Sequence, residues 1–169
     1  AASDVYKRQE LIFPSGVEFT NDISSAIESS EIIVLALPSQ SIRNVITKNK
    51  SSFNKNHIIV NVSKGIEIDT LMTVSEVIND ILDGQHKSVV TLSGPSHAEE
   101  VISGHPTTLV AASNDFQSAK IIQNLFATEK LRTYLNRDIR GVELGGSMKN
   151  VIARAAGICD GIGYGDNSK

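Results

Sequence analysis

The amino-acid sequence predicts an α/β protein built on a parallel, doubly wound sheet and followed by the start of an all-helical domain. Three observations carry this. Short strand-like runs alternate with amphipathic helical segments along most of the chain. Residues 31–37 (EIIVLAL) and 57–62 (HIIVNV) are almost continuously apolar, as in parallel strands buried on both faces. From Asp138 to about Asp160 the pattern becomes wholly helical, which sets a domain boundary near residues 136–138.

In chain order, residues 1–9 (AASDVYKRQ) have no clear period and are set apart as a non-native or disordered tail. Residues 16–20 (GVEFT) alternate and are expected to form a short strand. Asp22 can cap a helix reaching about Ser29. Residues 31–37 form a buried strand that Pro38 ends. Ser39 can cap the next helix, which buries Ile42, Val45 and Ile46. Residues 57–62 form a second buried strand with Ser63-Lys64-Gly65 at its carboxyl end. An amphipathic helix over 71–82 buries Leu71, Val74, Val77, Ile78 and Ile81, and Asp83-Gly84 stops it. A third buried strand, 89–92, ends in Ser93-Gly94-Pro95-Ser96. A short helix (98–103), a strand (107–112), a helix (116–127) and a last strand (131–135) follow. The expected division is a tail (1–9), a sheet domain (10–136) and the start of a helical domain (137–169).

Composition narrows the function. The 169 residues are 40% hydrophobic and 21% charged, with a net charge of −3, so no basic field recruits nucleic acid. No apolar run reaches the ~18–20 residues that span a bilayer, so membrane insertion is not expected. The single cysteine, Cys159, fits a reduced, cytoplasmic setting. His57, His86, His97 and His105 are scattered, most of them expected at the surface or at edges. No Cys/His cluster has metal-ligand spacing, so no metal is expected.

Candidate chemistry gathers at the helix around residues 142–153 and at the carboxyl ends of the strands. In the helix, Leu144, Met148, Val151, Ile152 and Ala155 follow the spacing of a core-facing stripe. Lys149 lies on another face, with Gly145, Gly146, Ala153 and Ala156 around it. Adjacent glycines inside a helix cost roughly 1 kcal/mol each relative to alanine, a cost accepted where something must approach the backbone. This describes a lysine in a small-residue depression; the plain alternative is a tight helix crossing with Lys149 reaching to water. Ligands of open α/β sheets sit at the carboxyl ends of the strands. Pro38-Ser39, Lys64 and Gly94-Pro95-Ser96 fall there. Their plain alternatives are a helix start, a solvated loop lysine, and a capping turn with Ser96 as N-cap and Glu99 completing a capping box.

A dinucleotide-binding sheet opens with a strand, G-x-G-x-x-G and a helix. That motif is absent. Residues 161–166 (GIGYGD) come nearest, but Asp166 stands at the third glycine and the segment follows a helix.

Five blocks, in order, resemble one family. They are Leu37-Pro38-Ser39-Gln40, Ser63-Lys64-Gly65-Ile66-Glu67, residues 92–101 (LSGPSHAEEV), residues 144–151 (LGGSMKNV) and residues 156–161 (AGICDG), the last continued by 163–167 (GYGDN). Together they resemble NAD(P)-dependent glycerol-3-phosphate dehydrogenases, most closely the bacterial branch, from about Phe13 to the end of the chain.

The resemblance implies an incomplete Rossmann-like sheet and the start of a helical substrate domain, hence an internal piece of a longer enzyme, inactive and poorly folded on its own. It implies NAD(P)H as cofactor. The reaction implied is reversible reduction of dihydroxyacetone phosphate to sn-glycerol 3-phosphate, for glycerophospholipid synthesis, by a cytoplasmic homodimer. Lys149 matches the catalytic lysine. Lys64, Gly94, Ser96, Lys149 and Asn150 match substrate-binding positions, and Pro38, Lys64 and Ala98 cofactor-binding ones. His97 replaces an expected bulky aromatic residue and Arg154 an expected small or aliphatic one. Two alternatives stay open: a related two-domain dehydrogenase acting on another carbonyl, and a non-catalytic nucleotide-binding module.

Overall fold

The computed structural model describes residues 14–168. The tail assigned to residues 1–9, and the start of the sheet domain at residue 10, lie outside the described residues. The sheet has five strands in the order β1 (Ile32–Leu35), β2 (Ile58–Asn61), β3 (Ser88–Ser93), β4 (Thr107–Ala112) and β5 (Leu131–Asn136). The helices are α1 (Ile23–Glu28), α2 (Ile42–Lys48), α3 (Val74–Leu82), α4 (Ala98–Ile102), α5 (Phe116–Phe126) and α6 (Ile139–Gly161).

Period-two alternation gives the sheet two apolar faces. On one, Leu35, Ile59 and Val89 meet α1, α2 and α3 through Ile27, Ile42, Ile46, Val77, Ile78 and Leu82. On the other, Ile58, Val60, Val90, Leu92, Leu109 and Ala111 meet α5 through Ile122. Helices on both faces are the Rossmann-like arrangement expected from the sequence.

The sheet is mixed rather than all parallel. β1, β2 and β3 run together, β4 runs antiparallel to β3, and β5 is parallel to β4. The link between β3 and β4 contains only α4, five residues long. Such a helix rises only roughly 7–8 Å, and the chain turns back after it, so that β4 starts beside the carboxyl end of β3 and pairs with it antiparallel. Because α5 is long enough to cross back, β5 then follows β4 in parallel. β5 consequently ends beside the start of β3, and α6 begins there and climbs the α3 face toward the carboxyl ends of β2 and β3.

Other expectations change. Residues 17–20 are not in a strand; they lead irregularly into Asp22, whose side chain accepts from the Ser25 amide and caps α1. β1 lies at the edge of the described sheet, and Val34 is about half exposed, so this apolar run is not covered on both faces. A tight turn, Ser39–Ser41, precedes α2, so that the N-cap of α2 is Ser41 rather than Ser39, and the Ser41 side chain makes no capping bond. α3 starts at Val74 because Leu71 takes a left-handed backbone (φ 58°) and stays exposed. Its far end stops at Asp83, also left-handed. The N-cap of α4 is His97, not Ser96.

His57 is buried rather than at the surface. The Asn54 amide donates to its Nδ1 at 3.2 Å, and its ring meets Phe53 edge to face. Burial pushes its pKa below the ordinary histidine value. The unfolded chain thus takes up a proton at higher pH than the folded one. The stability held by neutral His57 is complete above about pH 6.5 and is lost as pH falls through the lowered folded-state value. Urea unfolding of the full-length protein should show this acid slope, and His57→Gln should flatten it.

Candidate active site

The site begins with the way the loop after β2 is held. Ser63 donates to the Leu37 carbonyl and accepts from the Leu37 amide, tying the Pro38 turn to the segment before Lys64. Gly65 packs so closely on Ser39 that a Cβ there would lie 2.5 Å from Oγ. Farther along, Arg43 of α2 grips both Glu67 oxygens at 2.9 and 3.1 Å through Nε and reaches Asp80 at 2.7 Å. These contacts hold Arg43 well above the ordinary arginine range and Glu67 below the ordinary carboxylate value. The loop carrying Lys64 is thereby fastened at both ends.

Lys64 Nζ then reaches across to the carbonyl of Gly94, at 3.0 Å. Gly94 is confined from behind: a Cβ would lie 2.5 Å from the Thr108 carbonyl oxygen. A larger residue there would push the turn off β4.

α6 closes the third side. Its N-terminus is capped by Asp138, whose carboxylate accepts from the Gly141 amide at 2.8 Å. One turn on, Glu143 points into the sheet and is 6% exposed, the one buried residue of this helix among those described. Its Oε1 accepts from Asn61 Nδ2 of β2 (3.0 Å), Thr91 Oγ1 of β3 (2.9 Å) and the Ser75 amide of α3 (3.0 Å). Its Oε2 accepts from Ser75 Oγ at 2.6 Å. The Ser75 amide is one of the free donors in the first turn of α3, where the helix dipole favours an anion. Gly146 lets α6 approach, since a Cβ there would sit 3.0 Å from Ser93 Oγ.

The result is a cleft of about 400 Å³ lined by Lys64, Lys149, Gly94, Ser93, Gly145, Gly146 and their neighbours. Among the described residues, two ammonium groups line it and no carboxylate does. Lys64 remains exposed along its length, yet its pKa lies below the ordinary lysine value. Desolvation is the larger cause and the charge of Lys149 the second. Gly145 also lines the cleft, and a Cβ there would meet no protein atom within 4 Å. Packing among the described residues thus does not require glycine at 145, and its Cα faces open space.

Of the residues singled out from sequence, Lys64, Gly94 and Lys149 share this cleft. Ser96 stands beside it and donates to the Gly94 carbonyl at 3.3 Å. Asn150, Pro38 and Ala98 are exposed and do not line it. The expected apolar stripe of α6 is not buried: Leu144, Met148, Val151 and Ile152 are 37–64% exposed. Glu143 takes the inward position, a role that periodicity does not assign to it. Its signal is a polar residue set among apolar ones on each facing strand, Asn61 after Ile58-Ile59-Val60 and Thr91 between Val90 and Leu92.

A family model for the NAD-dependent glycerol-3-phosphate dehydrogenase N-terminus matches residues 4–119, and one for the C-terminus of the same enzymes matches residues 138–169. The chain belongs to this family. It is 47% identical over 163 residues to glycerol-3-phosphate dehydrogenase [NAD(P)+] of a Thermoanaerobacter strain, covering 96% of this chain and 48% of the relative. The Clostridium perfringens enzyme of the same name is 50% identical over 161 residues, covering 95% and 48%. The chain thus spans about half the length of the curated relatives it matches. Among solved structures, glycerol-3-phosphate dehydrogenase from Coxiella burnetii superposes with a TM-score of 0.82 at 33% identity, over 94% of this chain and 48% of that one. The first model's match ends within α5 and the second's starts at Asp138, where α6 begins, and residues from both matches line the cleft.

The lysine pair makes a direct prediction. In competitive acylation of the full-length protein, Lys64 should titrate below the surface lysines. Lys149→Gln should raise its midpoint but not restore the ordinary value, because the desolvation remains.

Proposed function

We propose that the complete protein carrying this chain catalyses the NAD(P)H-dependent reduction of dihydroxyacetone phosphate to sn-glycerol 3-phosphate, and the reverse. The observation that supports it most is the convergence of Lys64 and Lys149 on a cleft without carboxylates. A phosphorylated ketone needs cationic partners for its phosphate and a donor at its carbonyl. Supply of the glycerol backbone for phospholipids, a cytoplasmic setting and a homodimer follow from the family reading.

The residues present fit one end of the cofactor. Pro38 and Ala98 are exposed around the carboxyl ends of β1 and β3, and the Pro38 turn is tied to the Lys64 loop. The glycine-rich phosphate loop expected of such a sheet is not among the described residues. Pro38, Lys64 and Ala98 would hold the nicotinamide end of NAD(P)H, which supplies the hydride. Lys64 and Gly94, which line the cleft, and Ser96 beside it would bind and orient the substrate, while Asn150, which does not line it, is assigned to the substrate by the family likeness alone. Lys149 stabilises the negative charge that grows on the carbonyl oxygen and gives that oxygen a proton from Nζ; in the reverse direction it accepts the proton. The charge repulsion between the lysines eases when a substrate dianion enters, which favours the phosphorylated ketone over a neutral one.

In the full-length enzyme, Lys149→Ala should lower kcat by ~10²–10⁴-fold while the thermal melt is unchanged; near-normal turnover would overturn the role of this lysine. Gly145→Leu should fold normally yet raise the KM for dihydroxyacetone phosphate, because the new side chain enters the cleft. A protein that binds NAD(P)H but reduces no phosphorylated ketone would instead be a binding module or a dehydrogenase for another carbonyl.

A further inference from the structure

Glu143 neither lines the cleft nor belongs to the proposed chemistry, yet among the described residues it is the one buried residue of the helix that carries Lys149. The apolar side chains of α6 around it are largely exposed. Leu144 is 37%, Met148 44% and Val151 57% accessible. Among the described residues, Ile139 at the helix start packs on the apolar core, and beyond Glu143 no residue of α6 is buried. One apolar contact leaves a helix free to slide and roll. Four hydrogen bonds from three different elements, β2, β3 and α3, do not. Lys149 lies six residues later, ~9 Å up the helix.

We propose that Glu143 is a positioning residue for the cleft: its carboxylate sets the height and rotation of α6 and so places the Lys149 ammonium against Lys64. The catalytic consequence rests on the reductase reading above; the geometric one does not. Ser75 and Thr91 serve the same end, because each supplies one of the hydroxyls that orient the carboxylate.

The test uses the full-length enzyme with two variants. Glu143→Asp keeps the charge but shortens the reach by one methylene. Glu143→Gln keeps the reach but replaces one acceptor oxygen with a donor. The geometric readout is the yield of a Lys64–Lys149 cross-link formed by a short amine-reactive bifunctional reagent, measured by peptide mass spectrometry. The kinetic readout is kcat per NADH-binding site, with sites titrated by nicotinamide fluorescence so that unfolded protein drops out. Cross-linking should fall at least about threefold in both variants. kcat per site should fall about tenfold or more, because ~1 Å misplacements of reacting groups cost up to ~10²-fold. The KM for NADH should stay within about twofold, a split that general loss of structure would not produce. A cross-link yield within about 1.5-fold of wild type in both variants overturns the inference, whatever happens to kcat. If neither variant binds NADH, Ser75→Ala is measured in the same way, with the same outcomes deciding. A wild-type enzyme that cross-links normally but reduces no dihydroxyacetone phosphate would sink the reductase reading and leave the positioning inference to the cross-link.

Discussion

The seat of α6 against the candidate site depends on one buried carboxylate. Glu143 joins β2, β3, the first turn of α3 and the second turn of α6 in a single cluster of hydrogen bonds. A buried acceptor of this kind is costly to lose, since each stranded donor forfeits roughly 1–3 kcal/mol. It is also specific, because donors in fixed positions accept the carboxylate at one place only. Apolar packing could have fastened α6 as firmly, but it would not have fixed its register. The exposed stripe on the rest of α6 shows how little of the helix's seat on this sheet comes from apolar burial.

The reversal of β4 matters just as much. With a short α4, the chain turns back at the carboxyl end of β3, and two strands later it emerges at the opposite edge of the sheet. α6 must therefore travel the length of the sheet before reaching the ends of β2 and β3. That path lets Asp138 cap it at one edge, Glu143 hold it in the middle and Lys149 arrive at the other. The Lys64 side of the cleft is fixed by independent means, through Ser63, Gly65 and the Arg43–Glu67 pair. Two separately anchored lysines can be kept close despite their repulsion because neither loop nor helix is free to relax.

Much of this was legible in the chain. Strand runs, helix faces and the strand-end positions of Lys64 and Gly94 follow from local periodicity, which the finished fold preserves. The direction of β4 was not legible in that way. Its residues alternate as either kind of strand would, and nothing in that alternation records the strand's direction. The edge position of β1 was equally hidden, because an apolar run records what a strand is suited to, not which neighbours lie beside it. The seat of α6 escapes periodicity for a related reason. Periodicity ranks residues by hydrophobicity, so Leu144 and Met148 outscore Glu143, although the surface beneath them offers donors. Asn61 and Thr91 hold that information, but on strands distant in sequence, and a pattern read along one segment does not pair them.

The spacing from Glu143 to Lys149 behaves as a ruler. Each residue added to or removed from a helix turns the residues beyond it by about 100° and shifts them by ~1.5 Å. A single insertion between these two positions would swing the ammonium away from Lys64 even if every side chain were kept. The loop between Gly65 and Thr73 has no such helical phase, and its ends are pinned by Ser39 and by Arg43 through Glu67. Length should therefore be held rigidly along α6 and more loosely between Ile68 and Leu71, within a single site.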